Sequence, residues 1–340
     1  MKRLSPIAAA IILAFGINTS VLAEGSSATV SQDGSGNSAS IAQTNLPNGA
    51  NAAVSQSGNN NDATVTQQNS AFSMTATVDT TGDNNSATIF QEDSFGAVGA
   101  VTQEGTGNSA NISQTATSDG GTTATINQTG GTENNVATIN QPNADSSVAT
   151  IDQTNNAFAD PNTATITQQD SGDFLNAAIT QNNTKGDNAS ITQFGVGTAN
   201  NSASILQDDS WFASATINQT GTENLASISQ TAISDFASAA IDQGGAQNQA
   251  TVFQQSAISS NATITQDLAS SDNVASVTQL GDWNNGNVTQ FTTGNQAAIT
   301  QSGNGSSGNE NMATITQNTP NNTAAISQAG GGGNTATITQ

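Results

Sequence analysis

The side chains with chemistry to offer in this chain are amides. Glutamine closes a five-residue phrase, Ala-x-(Ile/Val)-x-Gln, that recurs from Ala28–Gln32 to Ala336–Gln340. The phrase occurs 26 times at intervals of 11 to 16 residues, and 23 copies match at all three fixed positions. The three degenerate copies end at Thr80, Gln103 and Gln290 and keep Val in the middle. Asparagine often stands two residues before the alanine, at Asn37, Asn61, Asn85, Asn108, Asn135, Asn162, Asn201, Asn224 and Asn248. An amide carries two N–H donors and one carbonyl acceptor, so its chemistry is hydrogen bonding rather than bond making. Reactive groups are scarce by contrast. The sequence contains no His, Cys or Tyr, which excludes Ser–His and Cys–His nucleophiles and zinc sites.

The elements that position these amides follow from the period. Ala, Ile/Val and Gln fall at i, i+2 and i+4, which in a strand places all three on one face. The residues between them are mostly Thr, Ser, Asn, Asp or Ala and face outward; Phe90, Leu206 and Phe253 are the exceptions. No apolar stripe forms at i, i+3, i+4, so a helix is excluded. Each strand is then about seven residues, and the connections carry the Gly, Asn and Asp that tolerate tight turns. A repeat this regular over a whole chain implies one unit stacked many times. The expected fold is all-β: a β-solenoid of strand-turn-strand arches, about 13 rungs and 26 short strands in two facing parallel sheets. Such a rod would be about 60 Å long at the usual strand spacing. Ala and Ile/Val fill the gap between the sheets. Gln and Asn there would be costly unless paired, and in register each can bond its copy one rung away. The alternative is that Gln only marks a solvent-exposed strand end.

The residues expected in this core and its amide ladders are Gln32, Asn37, Ile41, Gln43, Gln56, Asn61, Val65, Gln67, Asn108, Ile112, Gln114, Gln219, Asn224, Ile228, Gln230, Gln243, Asn248, Gln254, Ile338 and Gln340. The asparagines change strand midway, which implies a half-repeat slip between about Phe174 and Gln219. The wide interval from Gln301 to Gln317 reads as a long surface turn.

Met1–Ala23 reads as a secretory signal peptide, with Lys2 and Arg3 at its start and an apolar run from Ile7 to Ile17 too short to span a bilayer. Cleavage would leave 24–340 as one repeat domain. Beyond residue 23 the only cation is Lys185, against 25 carboxylates, a net charge of −24. Nucleic acid and anionic membrane surfaces are therefore not expected partners, and no membrane insertion of the mature chain is expected. Without Cys, cohesion must come from main-chain and side-chain ladders rather than disulfides. The acidic turn residues either slow premature association or serve only as turn formers. No catalytic residue, cofactor or metal site is expected. Asp208-Asp209 and Glu92-Asp93 fall just after strand ends, where a solvated turn accounts for them. Asp33-x-Ser35-x-Asn37 matches the start of a calcium loop, but Thr44 rather than Glu holds its twelfth position.

The fuller unit, Ser26-x5-Gln32-x-Gly34-x2-Asn37-x-Ala39-x3-Gln43, closely resembles the curlin repeat of bacterial curli subunits. Its second part recurs at Gln56–Gln67, Gln103–Gln114, Gln219–Gln230 and Gln243–Gln254. The resemblance implies an exported subunit that polymerises with itself into extracellular amyloid fibres of the biofilm matrix, its inward Gln and Asn helping to drive assembly. It further implies a nucleator subunit and an outer-membrane secretion pore as partners, although the Gly/Asn-rich address segment usual in that family is not found before Ser26. Members commonly carry about five repeats, against about 13 here. The regular, nearly uncharged repeats favour a major subunit over a nucleator. With both terminal strands open, head-to-tail stacking is the expected mode of association.

Two other classes remain. Outward Thr-x-Thr pairs, as at Thr64/Thr66, Thr165/Thr167 and Thr337/Thr339, suggest an ice-binding solenoid, but only five of the 26 strands carry them. An adhesin stalk or capped binding module would want a head or caps. Trp211 and Trp283 lie in turns, where sugar binding, turn packing or fibre–fibre contact are open to them.

Overall fold

The computed structural model describes residues 17–19, 25–70, 73–116, 121–154, 160–169, 174–195 and 200–340. Twenty-six strands run from Ser27–Ser35 to Thr335–Thr339, and all their ladders are parallel. Alternation sets each strand's orientation. In Val136–Pro142, Ala137, Ile139 and Gln141 are buried while Thr138 and Asn140 are partly exposed.

Consecutive strands go to opposite sheets. Sheet I has 13 strands, from Ser27–Ser35 to Thr323–Gln328. Sheet II has 14, running from Ser38–Thr44 to Thr335–Thr339 after a three-residue strand, Ile17–Thr19, that pairs with Ser38–Thr44. That short strand lies inside the segment read as a signal peptide; the expected cleavage positions lie outside the described residues. Each strand therefore pairs with the strand two places on, and one rung of 22 to 28 residues covers both sheets. The register places like on like, as in Ala124↔Ala149, Ile126↔Ile151 and Gln128↔Gln153. The core is a two-sheet slab in which one continuous cluster of Ala, Ile and Val runs from Ala39 to Ile326. Each buried Ile or Val contributes roughly 1.5–3 kcal/mol.

The expected half-repeat slip is not there. Through that region the ladders stay in register in both sheets, with Gln181↔Gln207 in sheet I and Gln193↔Gln219 in sheet II. What changes is the occupant of one position. Buried asparagine precedes the sheet II strands as far as Asn162, and from Asn201 it precedes the sheet I strands instead. Sheet II regains it only near its end, at Asn284 and Asn311. The residue type moves to the other edge while the backbone continues unchanged. The Gln301–Gln317 interval is a long turn closed on itself by a Ser306–Asn309 bridge.

Stacked turns leave little room. Gly34, Gly58 and Gly82 repeat at one turn position with φ of 109°, 114° and 112°. A Cβ on Gly58 would sit 2.0 Å from the Gly82 carbonyl oxygen. Gly58→Ala is therefore expected to lower stability by about 1–3 kcal/mol through strain and a clash with main chain. Gly331→Ala, with nothing within 4 Å of its Cβ, should change it little; urea unfolding midpoints would separate the two.

Candidate functional site

The glutamines form two columns through the slab, one per sheet. In sheet II the side-chain amide of every glutamine from Gln43 to Gln317 donates to the carbonyl oxygen of the glutamine one rung on. This gives twelve bonds in succession, from 2.8 Å at Gln43→Gln67 to 3.2 Å at Gln317→Gln340. All twelve run in the same direction, N–H forward along the chain, so the column has a polarity. The second N–H crosses the slab. Gln67 donates to the carbonyl of Asn51 at 3.2 Å, and Gln43 donates to those of Ser27 and Ala50, both at 3.1 Å. Each amide thus holds its neighbour along the axis and the facing strand across it, which satisfies a polar group with almost no solvent access.

Sheet I carries the same column with one interruption. Gln32 donates to Gln56 at 2.6 Å, and an unbroken run of nine bonds joins Gln103 to Gln328. Between them stands Thr80, in register with Gln56 and Gln103. Its hydroxyl cannot pass the ladder on. Gln56 Nε2 below and Gln103 Oε1 above are both buried with no hydrogen-bond partner among the described residues. Gln43 Oε1, at the start of the sheet II column, is a third such atom.

The asparagines work differently from a side-chain ladder. Asn37 Oδ1 accepts the main-chain N–H of Asn61 at 3.0 Å, and the pattern repeats at Asn85, Asn108, Asn135 and Asn162. Most of their amide groups turn to main-chain carbonyls of the stacked turns, as from Asn61 to Gly82 at 2.7 Å and from Asn85 to Gly105 at 2.9 Å, whereas Asn135 Nδ2 is buried with no partner among the described residues. Side-chain pairs such as Asn162→Asn135, 3.0 Å, are the minority. Asn224 and Asn248 do the same in sheet I, where Asn248 N–H reaches Asn224 Oδ1 at 3.1 Å. Ile41, Val65, Ile112 and Ile228 lie in the continuous core, and Ile338 packs against its end. Gln219→Gln243 and Gln230→Gln254 are ladder bonds of 2.9 Å in the two sheets, and Gln114 is bonded on both sides.

One carboxylate has entered an asparagine position. Asp187 follows Asn162 in the sheet II column, and its N–H reaches Asn162 Oδ1 at 2.8 Å. Its own carboxylate accepts from Ser210 Oγ at 2.5 Å and Ala213 N–H at 2.8 Å. Burial pushes its pKa up to about 7, the two bonds work against that shift, and the charge of Asp235 adds to it. The residue marks the point where asparagine leaves sheet II, because the next positions are Ala213 and Ala237.

Two substitutions follow from these irregularities. Thr80→Gln should complete the sheet I ladder and relieve both orphaned amide atoms, raising stability by about 1–3 kcal/mol; an unchanged urea midpoint would count against the ladder. For Asp187 the folded-state pKa lies above the unfolded value. Its contribution to stability therefore grows as pH falls from about 7 towards 4 and is lost as pH rises through 7. Asp187→Asn restores the amide and should flatten that slope while stabilising the fold at pH 7.5.

Comparison with known proteins bears on the repeat itself. A search of curated proteins found no match to this chain. The model of the curlin associated repeat matches residues 271–303 and 308–340. Those segments hold the last six strands, whose inward Ala, Ile/Val and Gln lie in register with the rungs before them. The chain thus carries two curlin associated repeats at its C-terminal end, and the ladders continue the same unit through the rungs before them.

Proposed function

We propose that the chain is a secreted structural subunit that assembles with itself, head to tail, into extracellular curli-like amyloid fibres that serve adhesion and the biofilm matrix. The observation that carries this reading is the equivalence of the rungs. Apart from Thr80, Gly99 and Gly286, each rung offers the next the same main-chain edge, the same Ala and Ile/Val, and the same amides aimed in one direction. A rung from a second copy can therefore continue the stack with no new kind of contact. The orphaned Gln43 Oε1 supports the direction of growth, since a forward-pointing glutamine N–H from another copy supplies what it lacks. The curlin repeat and the solenoid are structural rather than catalytic in character, and proteins of this family are extracellular. By the same likeness the partners are a second copy of this chain, a nucleator and an outer-membrane pore, with the signal peptide directing export.

All five outward Thr-x-Thr pairs, including Thr263/Thr265 and Thr314/Thr316, fall on sheet II. Only the last two occupy neighbouring strands, so no extended regular face results, and no thermal hysteresis is expected.

Purified 24–340 should form fibres that bind amyloid dyes and give a meridional reflection near 4.7 Å. Protein that stays monomeric for days at high concentration, with no such reflection, would overturn the assignment.

A further inference from the structure

The turns leading from sheet I to sheet II stack into two exposed columns, and their occupants change along the rod. In the second column the backbone is left-handed from Gly36 to Trp283, except at Pro161, whose ring forbids it. Through the first rungs the column is occupied by residues suited to that conformation: Gly36, Asn60, Asn84, Gly107, Asn134 and Gly186, with φ between 55° and 72°. Then the occupants become Phe212, Phe236, Ser259 and Trp283, at φ of 55°, 54°, 52° and 55°. A large side chain in that region costs roughly 1–2 kcal/mol against glycine. Ile233, in the same group of turns, has φ 64°. None of these side chains is buried in the slab: Phe236 is 62% exposed, Ile233 61% and Phe212 42%. Large apolar groups held at strained, solvent-facing positions do not serve folding, and such outliers point to function.

The neighbouring column supplies charge. It reads Asp160, Lys185, Trp211, Asp235, Ile258 and Asp282, and its carboxylates are fixed by main-chain bonds from Trp211 N–H to Asp235 and from Ile258 N–H to Asp282, both 3.1 Å. Lys185, the only cation beyond Arg3, shows what these groups accept. Its Nζ lies 2.9 Å from Asp160, 5.9 Å from the Trp211 ring centre and 5.7 Å from that of Phe212. The combination recurs one to four rungs on, where Phe236 stacks on Phe212 at 5.4 Å and a groove of about 510 Å³ is lined by Ile233, Ile258, Leu280 and Asp282. Among the described residues Lys185 is the one lysine, and it does not reach this groove. A second copy is a poor occupant, because it would bring a net charge of −24 against these carboxylates.

We propose that Trp211, Phe212, Ile233, Phe236, Ile258 and Trp283, with Asp235 and Asp282, form a docking ridge for a basic, apolar peptide segment of another protein. Ammonium or guanidinium groups lie over the rings and against the carboxylates, and apolar side chains enter the groove. The ridge spans about 14 Å over four rungs, the length of about four extended residues. It lies on a turn edge, clear of the ladders, and stands whether or not the chain polymerises.

Both tryptophans of the chain lie on the ridge, so their emission reports its occupancy. The probe is the peptide Lys-Leu-Pro-Lys-Leu-Pro-Lys-Leu, whose prolines prevent it from adding to a sheet edge. It should shift the emission saturably. Replacing its leucines by serine, or its lysines by glutamate, should weaken binding at least tenfold. The double variant Phe212→Asn, Phe236→Asn suits the left-handed turn, so it should unfold at the same temperature or higher yet bind at least tenfold more weakly. Equal binding by the double variant, or by the serine peptide, would overturn the proposal. So would an emission shift that follows protein concentration without peptide, which would make a second copy the occupant.

Discussion

A primary amide inside a dry, two-sheet slab has three hydrogen-bonding requirements and no water to meet them. The rest of this structure depends on how the glutamines meet those requirements. One N–H goes forward to the next rung, the other crosses to the facing strand, and the carbonyl receives from behind. The arrangement works only if each rung presents glutamine at the same height and phase. That constraint explains why turn length varies between rungs while the strand phrase hardly does. It also gives the stack a direction, because an amide ladder whose N–H groups all point one way has a donor end and an acceptor end.

The departures show the constraint from its failures. Thr80 substitutes one residue and strands an amide atom on each side. Asp187 keeps the acceptor geometry of an asparagine but brings a charge that burial resists, and so makes one rung sensitive to pH near neutrality. The turn edge is held less tightly. There the sequence departs from Gly and Asn to Phe, Ile and Trp with no damage to the ladders, which leaves that edge open to a separate role.

Much of the architecture was legible in the phrase. Period two implied strands, recurrence implied the solenoid, and the constant phase of glutamines such as Gln43, Gln67 and Gln91 implied paired amides. The asparagines were harder to read. Their oxygen accepts main-chain N–H at the mouth of a turn, and that geometry has no periodic signature. Their change from Asn162 to Asn201 resembled a slip because residue type and backbone register are indistinguishable in sequence when they move together; only the pairing of Gln193 with Gln219 separates them. The ridge was hidden for a related reason. Trp211 and Trp283 stood out, but Phe212, Ile233, Phe236 and Ile258 share an edge only once each turn's length is known. The signal available was a bulky residue where other turns place Gly or Asn.

The most direct test of the amide ladder is hydrogen exchange of the glutamine side-chain N–H groups, followed by NMR on protein labelled with nitrogen-15 at glutamine. The expected result is strong protection at the ladder glutamines, such as Gln128, Gln153 and Gln219, with Gln56 exchanging faster than the rest because Thr80 gives it no acceptor. Uniformly fast exchange, as for solvated side chains, would contradict the ladder and with it the account of what holds the rungs in register.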